Sequence, residues 1–215
     1  MRSPPSTATE APVTSTPTPT PGLVRFNTLP DSEFLALLHE VCASSAWGRK
    51  LLARRPYATE DALLAAADTA MGELTDTDLA EAMAGHPPIG RPEPGDAVSS
   101  REQRGMAGAS EALRAEMLEL NLAYQERFGH VFLICATGAT GEQLLDALRE
   151  RLTHTPEQER AIARTELGKI NRIRLARLVT KDLVTKDLMA EGLVTEDLVA
   201  GDLVARDFAA EGDHS

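Results

Sequence analysis

Two consecutive prolines, Pro87 and Pro88, interrupt a chain whose apolar residues otherwise recur largely at helical spacing. Neither proline can donate a backbone hydrogen bond, and Pro87 disfavours helical backbone angles at the residue before it, so a helix must end at or near His86. Ser99 and Glu102 then have the spacing of a capping box that begins another helix. The sequence therefore predicts a rigid connection with a histidine at one helix end and a carboxylate at the start of the next helix.

The apolar spacing on both sides of this connection predicts an all-α fold. The longest helix is expected over residues 99–128, because Gly129 suits a helix C-terminal cap. The apolar run 131–136 (VFLICA) has no evident partner strand, and we interpret it as extended chain inside the helical fold. We predict one single-domain helical bundle over residues 23–179, which is long enough to bury a substantial core.

The two ends of the chain differ in composition from this predicted domain. Residues 1–22 are mostly Ser, Thr, Pro and Ala, which bury too little apolar surface to offset ordering, so a disordered leader is predicted. Residues 180–215 form an acidic repeat with a period of five residues, which scatters its leucines around a helix. We predict a flexible or partly helical tail. A pentapeptide-repeat β-helix is the alternative, although Lys, Glu, Gly or Arg would occupy one of its inward positions.

The overall charge and hydropathy exclude several classes of protein. The formal net charge is −11, whereas nucleic acids and anionic membranes require a clustered positive surface. No run of 18 apolar residues is present, and the N-terminus lacks the apolar segment of a secretory signal, so we expect a cytoplasmic protein. Cys42 and Cys135 lie in apolar surroundings and are expected to be reduced thiols, and the sequence contains no Cys/His cluster of the metal-binding kind.

His86 and Glu102 each have two interpretations. The negative end of a helix dipole favours a protonated imidazole, which suits His86 to proton transfer, but a surface histidine at a helix end has the same position. Glu102 belongs to a capping box, and the same carboxylate would also be held in place beside an anionic ligand at the helix start.

Arg174 is a further candidate site residue because it lies on the apolar stripe of the last predicted helix. A charge on such a face costs several kcal/mol, in the range of about 3 to 5, if its partner is missing. Its planar fork of donors suits a ligand carboxylate. The alternative is an internal ion pair with Glu102 or Glu166, and the pattern alone does not distinguish the two.

The HPPIG and SSREQ segments resemble the signature of the 2-oxo-4-hydroxy-4-carboxy-5-ureidoimidazoline (OHCU) decarboxylases of uric acid degradation, which is roughly HPxxG, a short loop and SxxEQ. Three other blocks resemble the family in the same order: LPDSEFLALLHEVCASSAWGRKLLARRPY, LNLAYQERFGHVFLICATG and ELGKINRIRLARLV. Together the four blocks cover about residues 26–179. The chain departs from the pattern at Pro88, where relatives often carry Asp or Arg, and in the short loop 91–98.

This resemblance implies an all-α enzyme that converts OHCU to (S)-allantoin and carbon dioxide without a metal or an organic cofactor. It implies His86 as the catalytic acid/base. It also implies seven substrate-binding residues: Pro87, Ser99, Glu102, Gln103, Ile134, Ala136 and Arg174. Of these, Ile134 and Ala136 are expected to bind the substrate through backbone groups.

The resemblance further implies a small-molecule substrate, a homodimer and functional coupling to urate oxidase and hydroxyisourate hydrolase. The competing hypothesis is a non-catalytic helical binding or scaffold protein that uses its C-terminal repeat. Hydrolysis of a ureido compound is less favoured, because no metal cluster or Ser/Cys nucleophile motif is evident.

Overall fold

The structure is a computed structural model that describes residues 19–91 and 97–180. These residues form helices and loops without a strand, which confirms the predicted all-α class. Most of the predicted leader and tail lies outside the described residues, and Pro21 and Gly22 of the leader range begin the first helix. The helices are α1 (Pro21–Thr28), α2 (Asp31–Val41), α3 (Ser45–Leu52), α4 (Glu60–Gly72), α5 (Asp76–Ala84), α6 (Ala97–Glu102), α7 (Glu111–Phe128), α8 (Gly141–Arg151) and α9 (Pro156–Thr180), with a 3₁₀ turn at Arg104–Met106.

Threonine side chains cap the N-termini of α4, α5 and α8. Thr59, Thr75 and Thr140 each accept a hydrogen bond from a backbone N–H in the first turn of the helix that follows. At Thr75 and Thr140 the third helical residue also accepts a hydrogen bond from the backbone N–H of the threonine, which completes a capping box. Local sequence therefore fixes where these helices begin.

The single helix expected over residues 99–128 is wrong. Helix α6 ends at Glu102, the 3₁₀ turn follows, and α7 begins only after Ser110, whose side chain caps it. Two glycines, Gly105 and Gly108, lie in the interruption, and glycine costs about 1 kcal/mol relative to alanine inside a helix. Ser99 consequently lies inside α6 rather than at a helix cap, so the capping-box interpretation of Ser99 is also wrong.

The described residues bury two apolar clusters. The larger cluster joins α1–α5 to α9 and includes Trp47 and Phe34, and the smaller one joins α7, α8 and the segment 131–136. Helix α1 lies so close to the end of α9 that a Cβ at Gly22 would be 1.9 Å from the Val179 carbonyl oxygen. None of the helices in the described part of the chain is long and apolar enough to cross a membrane.

A buried ion pair connects α8 to α9. Glu159, which is fully buried, accepts hydrogen bonds from Arg151 and from the Tyr124 hydroxyl. Arg151 also donates to the Leu133 carbonyl oxygen at 2.6 Å, so the pair anchors the extended segment. Burial by itself raises the pKa of Glu159, but the hydrogen bonds from Arg151 and Tyr124 outweigh it and hold the pKa below the usual range.

We expect Glu159→Gln to lower the free energy of unfolding by about 3 to 5 kcal/mol at neutral pH, because it leaves the Arg151 charge buried without a partner. Urea unfolding measures this loss. Glu157→Gln is the matched control, since Glu157 is an exposed carboxylate in the same first turn of α9.

The difference between wild type and Glu159→Gln should shrink in acid. A carboxylate whose pKa is lowered by folding stabilises the protein above its unfolded pKa, and this contribution is lost as the pH falls through its folded pKa. Equal stabilities of the Glu159→Gln and Glu157→Gln variants at pH 7 would show that the pair contributes nothing.

Candidate active site

His86 lies just beyond the C-terminus of α5 and is 9% exposed. Its backbone N–H donates to the Met83 carbonyl oxygen at 3.1 Å. The preceding residue, Gly85, lies against the loop after α2, where an added Cβ would be 2.8 Å from the Ala43 Cβ. The end of α5 is therefore held against the end of α2, and with it the position of His86.

Two side-chain amides hold the backbone of the HPPIG loop. Gln103 accepts a hydrogen bond from the Gly90 N–H at 2.8 Å and donates to the Pro88 carbonyl oxygen at 3.4 Å. Asn121 donates to the Ile89 carbonyl oxygen at 3.1 Å. Gly90 has φ of 82°, a left-handed conformation that favours glycine. The loop that follows His86 is thus fixed to both α7 and the segment after α6.

Glu102 and Arg174 form a bidentate ion pair. The Arg174 Nε and Nη2 donate to the two carboxylate oxygens of Glu102 at 2.9 and 2.8 Å, and Nη1 donates to the Val41 carbonyl oxygen at 3.2 Å. The side chains are 12% and 11% exposed, so the pair is largely removed from water. Of the two carboxylates considered from the sequence, Glu102 rather than Glu166 is the partner of Arg174.

The extended segment 131–136 is tied to the same helix as Arg174. The Cys135 N–H donates to the Glu166 carboxylate at 2.9 Å, and the Ala136 carbonyl oxygen accepts a hydrogen bond from the Ala139 N–H at 3.1 Å. Within the described residues, the Ile134 carbonyl oxygen and the Ala136 N–H have no hydrogen-bond partner. One acceptor and one donor of this segment therefore lie on either side of Cys135 without a partner among the described residues.

A close backbone contact joins this segment to the SSREQ motif. A Cβ at Gly105 would lie 1.9 Å from the Ala139 carbonyl oxygen, so any side chain here would force the two backbones apart. Gly105 is the second residue after the motif, and Ala139 directly follows the ICATG stretch. Glycine thus allows the motif and the extended segment to pack together.

The structure brings the candidate residues together to different degrees. Glu102 and Arg174 contact each other directly, and Gln103 contacts the loop that contains His86 and the half-buried Pro87. The other candidates are connected through neighbouring residues. The backbone oxygen of buried Ser99 accepts a hydrogen bond from the Gln103 N–H. Ile134 and Ala136 flank Cys135, whose N–H donates to a side chain of α9.

Two contributors to this site, the Val41 carbonyl oxygen and Asn171, are not predicted from the sequence, whereas Asn121 is a candidate pocket residue there, with helix packing as the favoured interpretation. The Val41 carbonyl oxygen binds Arg174, but a backbone acceptor leaves no mark in the sequence. Asn121 and Asn171 are buried polar residues on helix faces that are otherwise largely apolar, with exposures of 4% and 1%. A polar residue inside an apolar stripe is the signal that identifies such positions.

The side chains that could bind a metal ion or act as a thiol nucleophile are those of His, Cys, Asp and Glu. Among residues 19–91 and 97–180, no group of three or more His, Cys, Asp and Glu side chains is placed to hold a metal ion. Cys42 and Cys135 are both free thiols, and burial raises the pKa of each.

Residues 27–176 match the model of the protein family described as OHCU decarboxylase. The uric acid degradation bifunctional protein TTL of Arabidopsis thaliana is 32% identical over 145 residues, which are 64% of this chain and 44% of that protein. The 2-oxo-4-hydroxy-4-carboxy-5-ureidoimidazoline decarboxylase of Haloferax volcanii is 26% identical over 157 residues, 72% of this chain and 94% of that protein. The chain therefore spans less than half the length of the Arabidopsis relative.

The fold also resembles a solved structure. The crystal structure of an OHCU decarboxylase in the presence of (S)-allantoin has a TM-score of 0.62 to this chain at 29% identity. The similarity covers 71% of this chain and the whole of that one.

We expect Gly105→Ala to lower the melting temperature, because its methyl group cannot fit beside the Ala139 carbonyl oxygen. Overpacking of this kind typically costs about 1 to 3 kcal/mol. Gly108→Ala is the matched control, since a Cβ there meets nothing within 4 Å. Thermal unfolding followed by circular dichroism measures both, and equal melting temperatures would contradict the close contact.

Proposed function

The chain belongs to the OHCU decarboxylase family, and on that basis we propose that it decarboxylates OHCU to (S)-allantoin and carbon dioxide, as a carboxy-lyase of uric acid degradation. The observation that supports this proposal best is the buried ion pair between Arg174 and Glu102, which is the glutamate of the SSREQ motif. It presents a fixed guanidinium bound to the residue before Gln103, which holds the HPPIG loop, and a guanidinium is the side chain best suited to bind a carboxylate.

Arg174 binds the carboxylate of the substrate in this proposal. A guanidinium has five N–H donors, of which Glu102 accepts two and Val41 one within the described residues, so two remain for other partners, a ligand among them. The bidentate contact with Glu102 fixes the plane of the guanidinium before the ligand arrives. This preorganisation lowers the entropic cost of binding.

His86 is the proton donor in the same proposal. It lies just beyond the C-terminus of α5, and imidazole is the side chain that most often transfers protons near neutral pH. The loop after it is held by Gln103 and Asn121, so the imidazole belongs to a rigid part of the chain. A histidine that is fixed in this way can deliver its proton to one face of the reacting carbon only.

The backbone at Ile134 and Ala136 recognises the rest of the substrate. Its unpaired carbonyl oxygen and N–H match the alternating donors and acceptors of a ureido group or an imidazoline ring. The Cys135 bond to Glu166 and the contact of Gly105 with Ala139 keep this segment in place. Fixed backbone dipoles need no reorganisation during the reaction.

The chemistry of the substrate explains why these groups suffice. When carbon dioxide leaves, the electron pair of the broken bond moves into the conjugated C=N of OHCU itself. The protein has to hold the carboxylate out of the plane of the ring, stabilise the developing charge and add one proton. Arg174, the 134–136 backbone and His86 carry out these three tasks, and the single protonated face gives the (S) product.

We also propose that the chain works together with the enzymes that supply its substrate, urate oxidase and hydroxyisourate hydrolase, and that it forms a homodimer. An unstable substrate is lost by spontaneous decay unless it is used soon after it forms. The bifunctional name of the Arabidopsis relative supports coupling within this pathway. The scaffold hypothesis depends on the repeat after residue 180, which lies outside the described residues.

We expect His86→Ala to slow turnover by roughly 10²- to 10⁴-fold, which is the usual contribution of a general acid. OHCU is generated in situ from uric acid with urate oxidase and hydroxyisourate hydrolase, and circular dichroism follows the (S)-allantoin that forms. His39→Ala, at an exposed histidine of α2, is the control and should keep wild-type turnover.

Two results would contradict this assignment. Wild-type turnover by His86→Ala would show that another group donates the proton. Equally slow, racemising decay with and without the unmodified chain would overturn the decarboxylase function itself and favour the scaffold hypothesis.

We expect Arg174→Lys to reduce kcat/KM by roughly 10- to 100-fold, chiefly through KM, because lysine keeps the charge but loses the planar fork of donors. Arg172→Lys is the matched control on the same helix, since its ion pair with Asp68 is exposed. Steady-state kinetics in the coupled assay measure both variants. Equal kcat/KM for the two would show that the fork is not used.

A further inference from the structure

Asn171 is a buried amide without a hydrogen bond of normal geometry within the described residues. It lies on α9 one turn before Arg174 and is 1% exposed. Neither its Nδ2 nor its Oδ1 has a partner among the described residues. Asn121 differs, because its Nδ2 donates to two carbonyl oxygens. A buried polar group without a partner is costly, and an apolar residue would remove that cost, so Asn171 requires another explanation.

The neighbours of Asn171 connect it to the site. The Asn171 amide makes a weak contact with the Cys42 thiol, and this contact and the charge of Arg174 both lower the pKa of the thiol, although burial outweighs them and raises it. The residue before Cys42 is Val41, whose carbonyl oxygen accepts a hydrogen bond from Arg174. The amide, the thiol and the guanidinium therefore meet at the end of α2. A thiol is only a weak hydrogen-bonding group, so Cys42 cannot satisfy the amide by itself.

The hydrogen-bonding capacities of Asn171 and Arg174 are complementary. Arg174 has two N–H groups left over after Glu102 and Val41, and the Asn171 Oδ1 is an acceptor without a donor. A ligand carboxylate that binds one of these N–H groups leaves the other for a second acceptor. A neutral acceptor one helical turn away can hold the guanidinium there without competing for the ligand, whereas a second carboxylate would neutralise the charge that binds it.

We propose that Asn171 is a positioning residue that holds the Arg174 guanidinium in its substrate-binding orientation through the Oδ1 atom. The inference rests on the proposed decarboxylase function, because Asn171 acts on the reaction through Arg174 and not on the reacting atoms. Cys42 completes the polar surroundings of the amide, and its raised pKa keeps it a neutral thiol there. The unsatisfied amide is thus a cost to stability that serves binding.

Asn171→Leu tests the proposal, because leucine has a similar size and removes both polar atoms. We expect this variant to melt at or above the wild-type temperature and yet to lose roughly 10- to 100-fold in kcat/KM, chiefly through KM, which corresponds to one hydrogen bond to a charged group. Asn171→Asp retains an acceptor but places a second carboxylate beside the guanidinium, so it should not recover that loss. A merely structural asparagine would instead lower the melting temperature of Asn171→Leu and leave its KM unchanged.

A double-mutant cycle with Arg174→Lys identifies the route of the effect. If Asn171 acts through Arg174, the double variant has the same kcat/KM as Arg174→Lys alone. The proposal would be overturned if the two substitutions reduced kcat/KM by factors that multiply in the double variant. A wild-type KM for Asn171→Leu would also overturn it.

The coupled assay of the unmodified chain separates this proposal from the proposed function. Turnover by the unmodified chain together with an unaffected Asn171→Leu overturns only the role of Asn171. No turnover by the unmodified chain overturns both.

Discussion

The ion pair between Glu102 and Arg174 is the interaction on which the arrangement of this site depends. It joins residues 72 positions apart in the chain, and Arg174 also binds the carbonyl oxygen at the end of α2. Two charges this far removed from water are tolerated only when each satisfies the other with good geometry, and the bidentate contact does so. The helix that carries the motif, the last helix of the domain and the end of α2 are therefore held together by one guanidinium.

Helix α9 connects this pair to the rest of the molecule. Near its start, Glu159 binds Arg151 and Tyr124 and so joins α9 to α7 and α8. In its middle, Glu166 binds the backbone of the extended segment, and near its end Arg174 binds Glu102. The apolar clusters supply the stability of the fold, whereas these polar contacts specify which loop lies beside which helix. The candidate site lies along this line of contacts.

The sequence predicted the parts of the fold that depend on local signals. Two prolines end a helix whatever surrounds them, so the position of His86 followed from its neighbours in the chain. The helix over 99–128 was predicted wrongly because the spacing of its apolar residues continues through Gly105, and no local signal reveals that the Ala139 backbone occupies the space of a side chain there. The partner of Arg174 was equally undetermined, since Glu102 and Glu166 are both carboxylates and only the packing of distant helices selects one.

The anchoring of the HPPIG loop has a consequence for the response of the site to acid and base. Gln103 and Asn121, which hold the backbone at Pro88, Ile89 and Gly90, are carboxamides and carry no ionisable proton. The scaffold around the histidine therefore keeps its hydrogen bonds unchanged when the surrounding medium is acidified. These three hydrogen bonds can persist through a change in the protonation of the imidazole, because none of their own atoms gains or loses a proton.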